Sequence, residues 1–176
     1  MRSFVAIGMP DDVAETLWRV TRGLKAGRRV EPDAMHLTLA FLGDVAVQDL
    51  EDLNDGLEAM RVGSFEVRLL GLGTFGPGPR TLWAGVAASP ELSAVQKKVL
   101  SVARAAGVIV ERRRFVPHVT LARFREGEGG AVGDVLTQAG AFGLSPFRVE
   151  QVTLYASHLS PSGARYEVLA EYPLLG

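Results

Sequence analysis

The chain has 176 residues, 47% of them hydrophobic, and contains no cysteine. That length permits one compact domain with a sizeable core, and the missing cysteine excludes disulfide scaffolds, thiolate metal sites and cysteine nucleophiles. A formal charge of −1 excludes a protein that grips long nucleic acid through many phosphate contacts, since such proteins are strongly basic.

The first stretch, "SFVAIGM", is rich in β-branched and aromatic residues and reads as a strand. It does not resemble a secretory signal, and no run in the chain approaches the roughly eighteen apolar residues of a membrane span. A soluble cytoplasmic protein is expected. "PDDVAETLWRVTRGLKAG" reads as a helix, with Val13, Leu17, Val20 and Leu24 at helical spacing and Gly27 suited to its end. "MHLTLAFLG" reads as a strand, "VQDLEDLNDGLEAM" as a second helix and "SFEVRLLGLG" as a strand. "GLGTFGPGPR" (71–80) contains a formal G-x-G-x-x-G. A dinucleotide fingerprint must open a helix, and this one runs into Pro-Gly-Pro-Arg. It reads as a glycine-rich connector.

The same order then returns. "TLWAGVAA" is a strand, and "SPELSAVQKKVLSVARAAG" is a helix with Ser89 as N-cap and Pro90 in its first turn. "FVPHVTLARF" is a strand and "VGDVLTQAG" a short helix. "FRVEQVTLYAS" and "ARYEVLAEYPL" are strands joined by the turn "SPSG". Each half places a histidine on its middle strand, His36 and His118. The simplest reading is one domain, 1–176, built by internal duplication of units near 1–75 and 80–176, which could exchange strands. The expected class is α+β, with two pseudo-twofold-related lobes facing each other across a cleft.

The histidines lie in "HLTLA" (36–40) and "HVTLA" (118–122), two of only three histidines in the chain. Side chains alternate along a strand, so His36 shares a face with Thr38, and His118 with Thr120. Two imidazoles converging on one pocket are a catalytic set, because histidine titrates near neutrality. A neutral ring takes a proton from a nucleophile, and a charged ring gives one to a leaving group. The threonine hydroxyls donate to the oxygens between them. A phosphodiester requires those parts for in-line hydrolysis. Two histidines with a carboxylate could instead hold zinc, but neither His-x-Thr pair contains Asp or Glu and there is no His-x-x-x-His. No metal and no cofactor are expected.

These motifs, their order and their spacing resemble the 2H phosphoesterase superfamily. Within it, "HLTLAFLGD", "RFVPHVTLAR", "LWAG" and "LYASHLSPSGARYEVL" are similar to the RNA 2′,3′-cyclic phosphodiesterases, also called 2′–5′ RNA ligases. The resemblance implies two lobes of antiparallel sheet with outer helices and a groove lined by the motifs. It implies opening of 2′,3′-cyclic phosphate at RNA 3′ ends to a 2′-phosphate, reversible 2′–5′ joining of tRNA halves, and no metal. It implies that His36 protonates the departing 3′-oxygen while His118 activates water. The near symmetry of the halves leaves that polarity open, although the five arginines of "ERRRFVPHVTLARFR" favour phosphate near His118. Two other readings remain, a 2H enzyme acting on another cyclic nucleotide or oligoadenylate and a non-catalytic module that binds RNA ends. A monomer is expected.

Arg123 matches a family position that holds phosphate, and Phe41 one that stacks on the terminal base. Both lie five residues past their histidine, so a regular strand aims them away from the cleft. A bulge after Leu121 would restore Arg123. Arg112, Arg113 and Arg114 either steer RNA or form a solvated strand edge. His158 reads as peripheral, and Trp18 and Trp83 as core residues.

Overall fold

A computed structural model describes residues 1–176. The chain order is β1 (Arg2–Gly8), α1 (Asp11–Val20), β2 (Arg28–Arg29), β3 (His36–Asp44), α2 (Val47–Glu58), β4 (Phe65–Val67), β5 (Leu69–Phe75), β6 (Thr81–Val86), α3 (Pro90–Ala105), β7 (His118–Arg123), α4 (Val132–Ala139), β8 (Phe147–Val149), β9 (Gln151–Ser160) and β10 (Gly163–Pro173). No helix is long and apolar enough to cross a membrane.

The strands form an antiparallel sheet in the order β10-β9-β1-β3-β7-β6-β5, with β2 beside β7 and a separate β4-β8 pair. β3 and β7 touch through one residue pair, Leu37 with Val119. The sheet is therefore two half-sheets joined at a seam, and a cleft opens over that seam. The last strands are exchanged. β5 pairs with β6, placing it in the half-sheet of His118. β9 pairs with β1, placing it in the half-sheet of His36.

The helices cover the face away from the histidines. Leu37, Leu39, Val119 and Leu121 are buried in one core with Leu17 of α1, Leu53 and Leu57 of α2, and Val95 and Val99 of α3. Alternation along β3 and β7 is what sends the aliphatic side chains there and leaves the polar ones facing the cleft. Ser89 caps α3 by accepting from the Leu92 N–H at 3.1 Å, as its sequence requires.

Four stretches depart from the sequence reading. α1 stops at Val20, short of Gly27. Arg29 donates to the Trp18 carbonyl and to Thr21 Oγ1, and its guanidinium lies 3.4 Å from the centre of the Trp18 ring. The helix end is thus sealed by β2, while Gly27 turns the chain at φ 85° tight against Phe124. The supposed connector "GLGTFG" is mostly strand, because β5 runs through Phe75. Gly73 within it is a packing device: a Cβ there would sit 2.3 Å from the Trp83 ring. Finally, "SFEVRLLGLG" and "FRVEQVTLYAS" each break into two strands, and their first parts pair with each other as β4 and β8.

Candidate active site

At the seam, Leu37 pairs with Val119. One step to either side, His36 falls across from Thr120, and Thr38 across from His118. The structure therefore brings all four motif residues to one place, each imidazole beside the other strand's threonine. All four are half-buried.

Each imidazole is tied down in the same way. His36 Nδ1 lies 2.8 Å from the Ala34 carbonyl, and His118 Nδ1 lies 2.8 Å from the Val116 carbonyl. A carbonyl only accepts, so Nδ1 carries the hydrogen in both rings. That leaves both Nε2 atoms to exchange protons with whatever occupies the cleft.

Aromatic rings hold the imidazoles from the side. Phe4 is tilted against His36 at 4.8 Å between centroids and Tyr166 meets it edge-on at 5.1 Å. Tyr155 stacks behind Phe4 at 5.0 Å. Phe75 meets His118 edge-on at 4.9 Å, and Trp83 lies 6.4 Å from it. Sequence reasoning missed this shell. Trp83 read as core, yet it pairs with Thr120 across β6 and β7 and so shares the cleft face. The signal was the "TLWAG" alternation, which sets Trp83 and Gly85 on one face, but the partner strand was invisible. Phe75 was hidden in the supposed connector.

Burial among these rings lowers the His36 pKa to about 4. The hydrogen bond to Ala34 opposes that effect, and the nearby charges of Arg123 and His118 reinforce it. His36 is neutral in the free protein at pH 7. The mutual influence of the two rings and Arg123 also marks them as neighbours.

Both parity objections are removed by extra residues. Between β1 and β3, Ala6 pairs with Thr38 and Val5 with Ala40, leaving Leu39 inserted. Phe4 then pairs with Phe41, on the face that carries His36. Between β6 and β7, Trp83 pairs with Thr120 and Leu82 with Ala122, leaving Leu121 inserted. Thr81 then pairs with Arg123, on the face that carries His118. A bulge of this kind shifts every later side chain to the other face. Burial follows the same order in both strands: half-buried His, buried, half-buried Thr, two buried residues, then an exposed Phe41 or Arg123. Phe41 is 64% exposed.

The remaining candidates are placed elsewhere. His158 sits on β9 and pairs with Glu167 at 2.7 Å. Trp18 lies under Arg29 on α1. Arg112–Arg114 lie in an exposed irregular segment before β7 and are not a strand edge. No three His, Asp or Glu side chains gather as a metal-ion ligand set.

The fold and site define a two-lobed α+β protein whose cleft presents paired imidazoles with hydroxyls between them. The 2′-5′ RNA ligase superfamily model matches residues 9–160. An Escherichia coli protein described as an RNA 2′,3′-cyclic phosphodiesterase is 32% identical, over 98% of this chain and 96% of its own length. A Geobacillus stearothermophilus protein of the same description is 31% identical over 98% of this chain, which spans 57% of that relative's length. The crystal structure of E. coli LigT complexed with 3′-AMP superposes with a TM-score of 0.81 at 27% identity, covering 98% of this chain and 97% of the other. The chain belongs to the 2′-5′ RNA ligase superfamily.

Proposed function

We propose that this protein opens RNA 2′,3′-cyclic phosphate ends to 2′-phosphomonoesters by two-histidine acid–base catalysis without a metal. The observation that carries the reading is the pair of Nδ1-anchored imidazoles meeting each other's threonines across the seam. The relatives described as RNA 2′,3′-cyclic phosphodiesterases support it.

The cyclic phosphate sits between the two Nε2 atoms. His118 takes a proton from water, whose oxygen attacks phosphorus in line with the 3′-oxygen. The bond from phosphorus to the 3′-oxygen breaks, His36 gives that oxygen a proton, and a 2′-phosphate with a free 3′-hydroxyl is left. Thr38 and Thr120 donate to the equatorial oxygens as their charge grows, with Arg123 adding a positive charge. The terminal base stacks on Phe41. His36 is neutral before substrate arrives, so it acquires its proton with the phosphate, whose negative charge opposes both burial and the Arg123 charge.

A 5′-hydroxyl in place of water gives a 2′–5′ linkage by the same steps, so joining of RNA fragments such as tRNA halves is within this chemistry. Both histidines come from one chain, which supports action as a monomer. We read the chain as one duplicated domain and place it in the cytoplasm.

The deciding experiment is product analysis of an RNA ending in 2′,3′-cyclic phosphate, incubated in excess EDTA. A 2′-monophosphate is expected. A 3′-monophosphate, or dependence on added metal, would overturn the proposal. RNA binding without turnover would make the protein an end-binding module.

A further inference from the structure

We propose that Arg28 and Arg123 form a second anion subsite, which holds the phosphodiester on the 5′ side of the terminal nucleotide and selects an RNA strand over a cyclic mononucleotide. This rests on the reading of the cleft given above.

Arg28 is a direct cross-strand partner of Arg123, and such partners share a face of the sheet. Its neighbour Arg29 confirms the orientation, because that side chain turns to Trp18 and Thr21 on the helical side. Arg28 therefore points into the cleft. The ion pairs of the structure are Arg19–Glu15, Arg80–Glu126, Arg113–Glu111 and His158–Glu167. Arg28 and Arg123 are in none of them. Two like charges directly opposite each other are destabilising, and a shared anion relieves the repulsion.

Arg28 is also positioned. A Cβ on Gly163 would lie 2.8 Å from its Nη1 and 3.7 Å from its Cζ. The guanidinium thus rests on the bare backbone at the tip of the β9–β10 hairpin, so it spans the cleft end from β2 to that tip.

The chemistry of ribose says which anion belongs there. C2′ is bonded to C1′, which bears the base, and C3′ is bonded to C4′, which leads to the 5′-phosphate. Base and 5′-phosphate therefore leave a 2′,3′-cyclic phosphate in opposite directions. β3 and β7 are antiparallel, and Phe41 and Arg123 both lie five residues past their histidine. They stand at opposite ends of the cleft. A base on Phe41 directs the 5′-phosphate to the arginine end.

The test compares 2′,3′-cyclic AMP with its 5′-phosphorylated form, using wild type, Arg28→Ala and Arg28→Lys. Wild type is expected to favour the 5′-phosphorylated substrate at least tenfold in kcat/KM. Arg28→Ala should lose that preference through KM, with kcat unchanged and 2′,3′-cyclic AMP turned over as before. Arg28→Lys should recover part of it. Equal losses on both substrates, or none on either, would overturn the subsite. Calorimetry with adenosine 2′,5′-bisphosphate and 2′-AMP reads the subsite without turnover. Arg28→Ala should weaken only the bisphosphate. If wild type fails to hydrolyse 2′,3′-cyclic AMP while this binding difference persists, the catalytic reading fails and the subsite stands. If the bisphosphate binds no tighter than 2′-AMP, the subsite fails.

Discussion

Phe41 and Arg123 occupy the same step past an inserted residue in two antiparallel strands, one carrying a ring and the other a charge to opposite ends of one cleft. The two half-sheets are alike in backbone and differ in what they offer at this step. A nucleotide has the same asymmetry, with an apolar base on one side of its cyclic phosphate and charge on the other. Phe41→Ala should therefore raise KM for an adenine-terminated RNA by roughly 5- to 150-fold, the range that corresponds to about 1–3 kcal/mol for one stacked base. The ring is exposed, so the melting temperature should stay within a degree or two. An unchanged KM would return Phe41 to the status of a surface residue.

The polarity of the two histidines is open to a chemical test. A sulfur in place of the bridging 3′-oxygen leaves without being protonated. His36→Ala should lose about 10²–10⁴-fold on the oxygen substrate and recover most of that on the 3′-phosphorothiolate. His118→Ala should lose as much and recover nothing. Recovery by His118→Ala in place of His36→Ala would reverse the two roles.

The depressed His36 pKa also fixes a limb of the pH profile. The profile of kcat/KM reports groups of the free enzyme. Its acidic limb should fall near pH 4, where His36 titrates, and this holds whichever ring is the acid. The limb of kcat should lie higher, because the bound phosphate raises that pKa. A kcat/KM limb near 6.5 would mean that His36 is not desolvated in solution.

The same shift is a statement about stability. The unfolded chain binds a proton at His36 near pH 6.5, whereas the folded chain resists it until about pH 4. Stability from this group is complete above pH 6.5 and falls as the pH is lowered toward 4, by at most about 3 kcal/mol. His36→Phe keeps an aromatic ring in the Phe4–Tyr166 shell and cannot titrate. Denaturant melts at pH 7 and 4.5 should show a smaller pH-dependent loss for this variant than for wild type.

The motif residues were legible because alternation needs only local sequence: His36 with Thr38, and His118 with Thr120, share a face in any regular strand. The inserted Leu39 and Leu121 were not legible. A bulge is set by how two strands register, and sequence gives no register for β1 against β3 or β6 against β7. That is why Phe41 and Arg123 seemed to point the wrong way. The exchange of β5 and β9 between half-sheets is a long-range choice of the same kind. It also carried Phe75 and Tyr155 to the histidine of the opposite half. Arg28 lay just past the stretch read as a helix, in residues given no element, and only its pairing with Arg123 reveals it.

Gly73 shows how far the site depends on such pairings. It faces Trp83 across β5 and β6, and the indole lies over it so closely that a methyl group would overlap the ring at 2.3 Å. Trp83 pairs in turn with Thr120 and lies against Phe75 at 5.2 Å, which meets His118 edge-on. Gly73→Ala must lift the indole toward the cleft or push β5 aside. Overpacking of this kind costs about 1–3 kcal/mol, so the melting temperature should drop by several degrees. Activity should fall further than unfolding explains, because the displaced ring bears on His118 and Thr120. Gly73→Ala combined with Trp83→Leu should regain the stability, since the clash is gone, but not the full activity, since the wall beside His118 is lost. Full activity in the double variant would show that Trp83 only fills space.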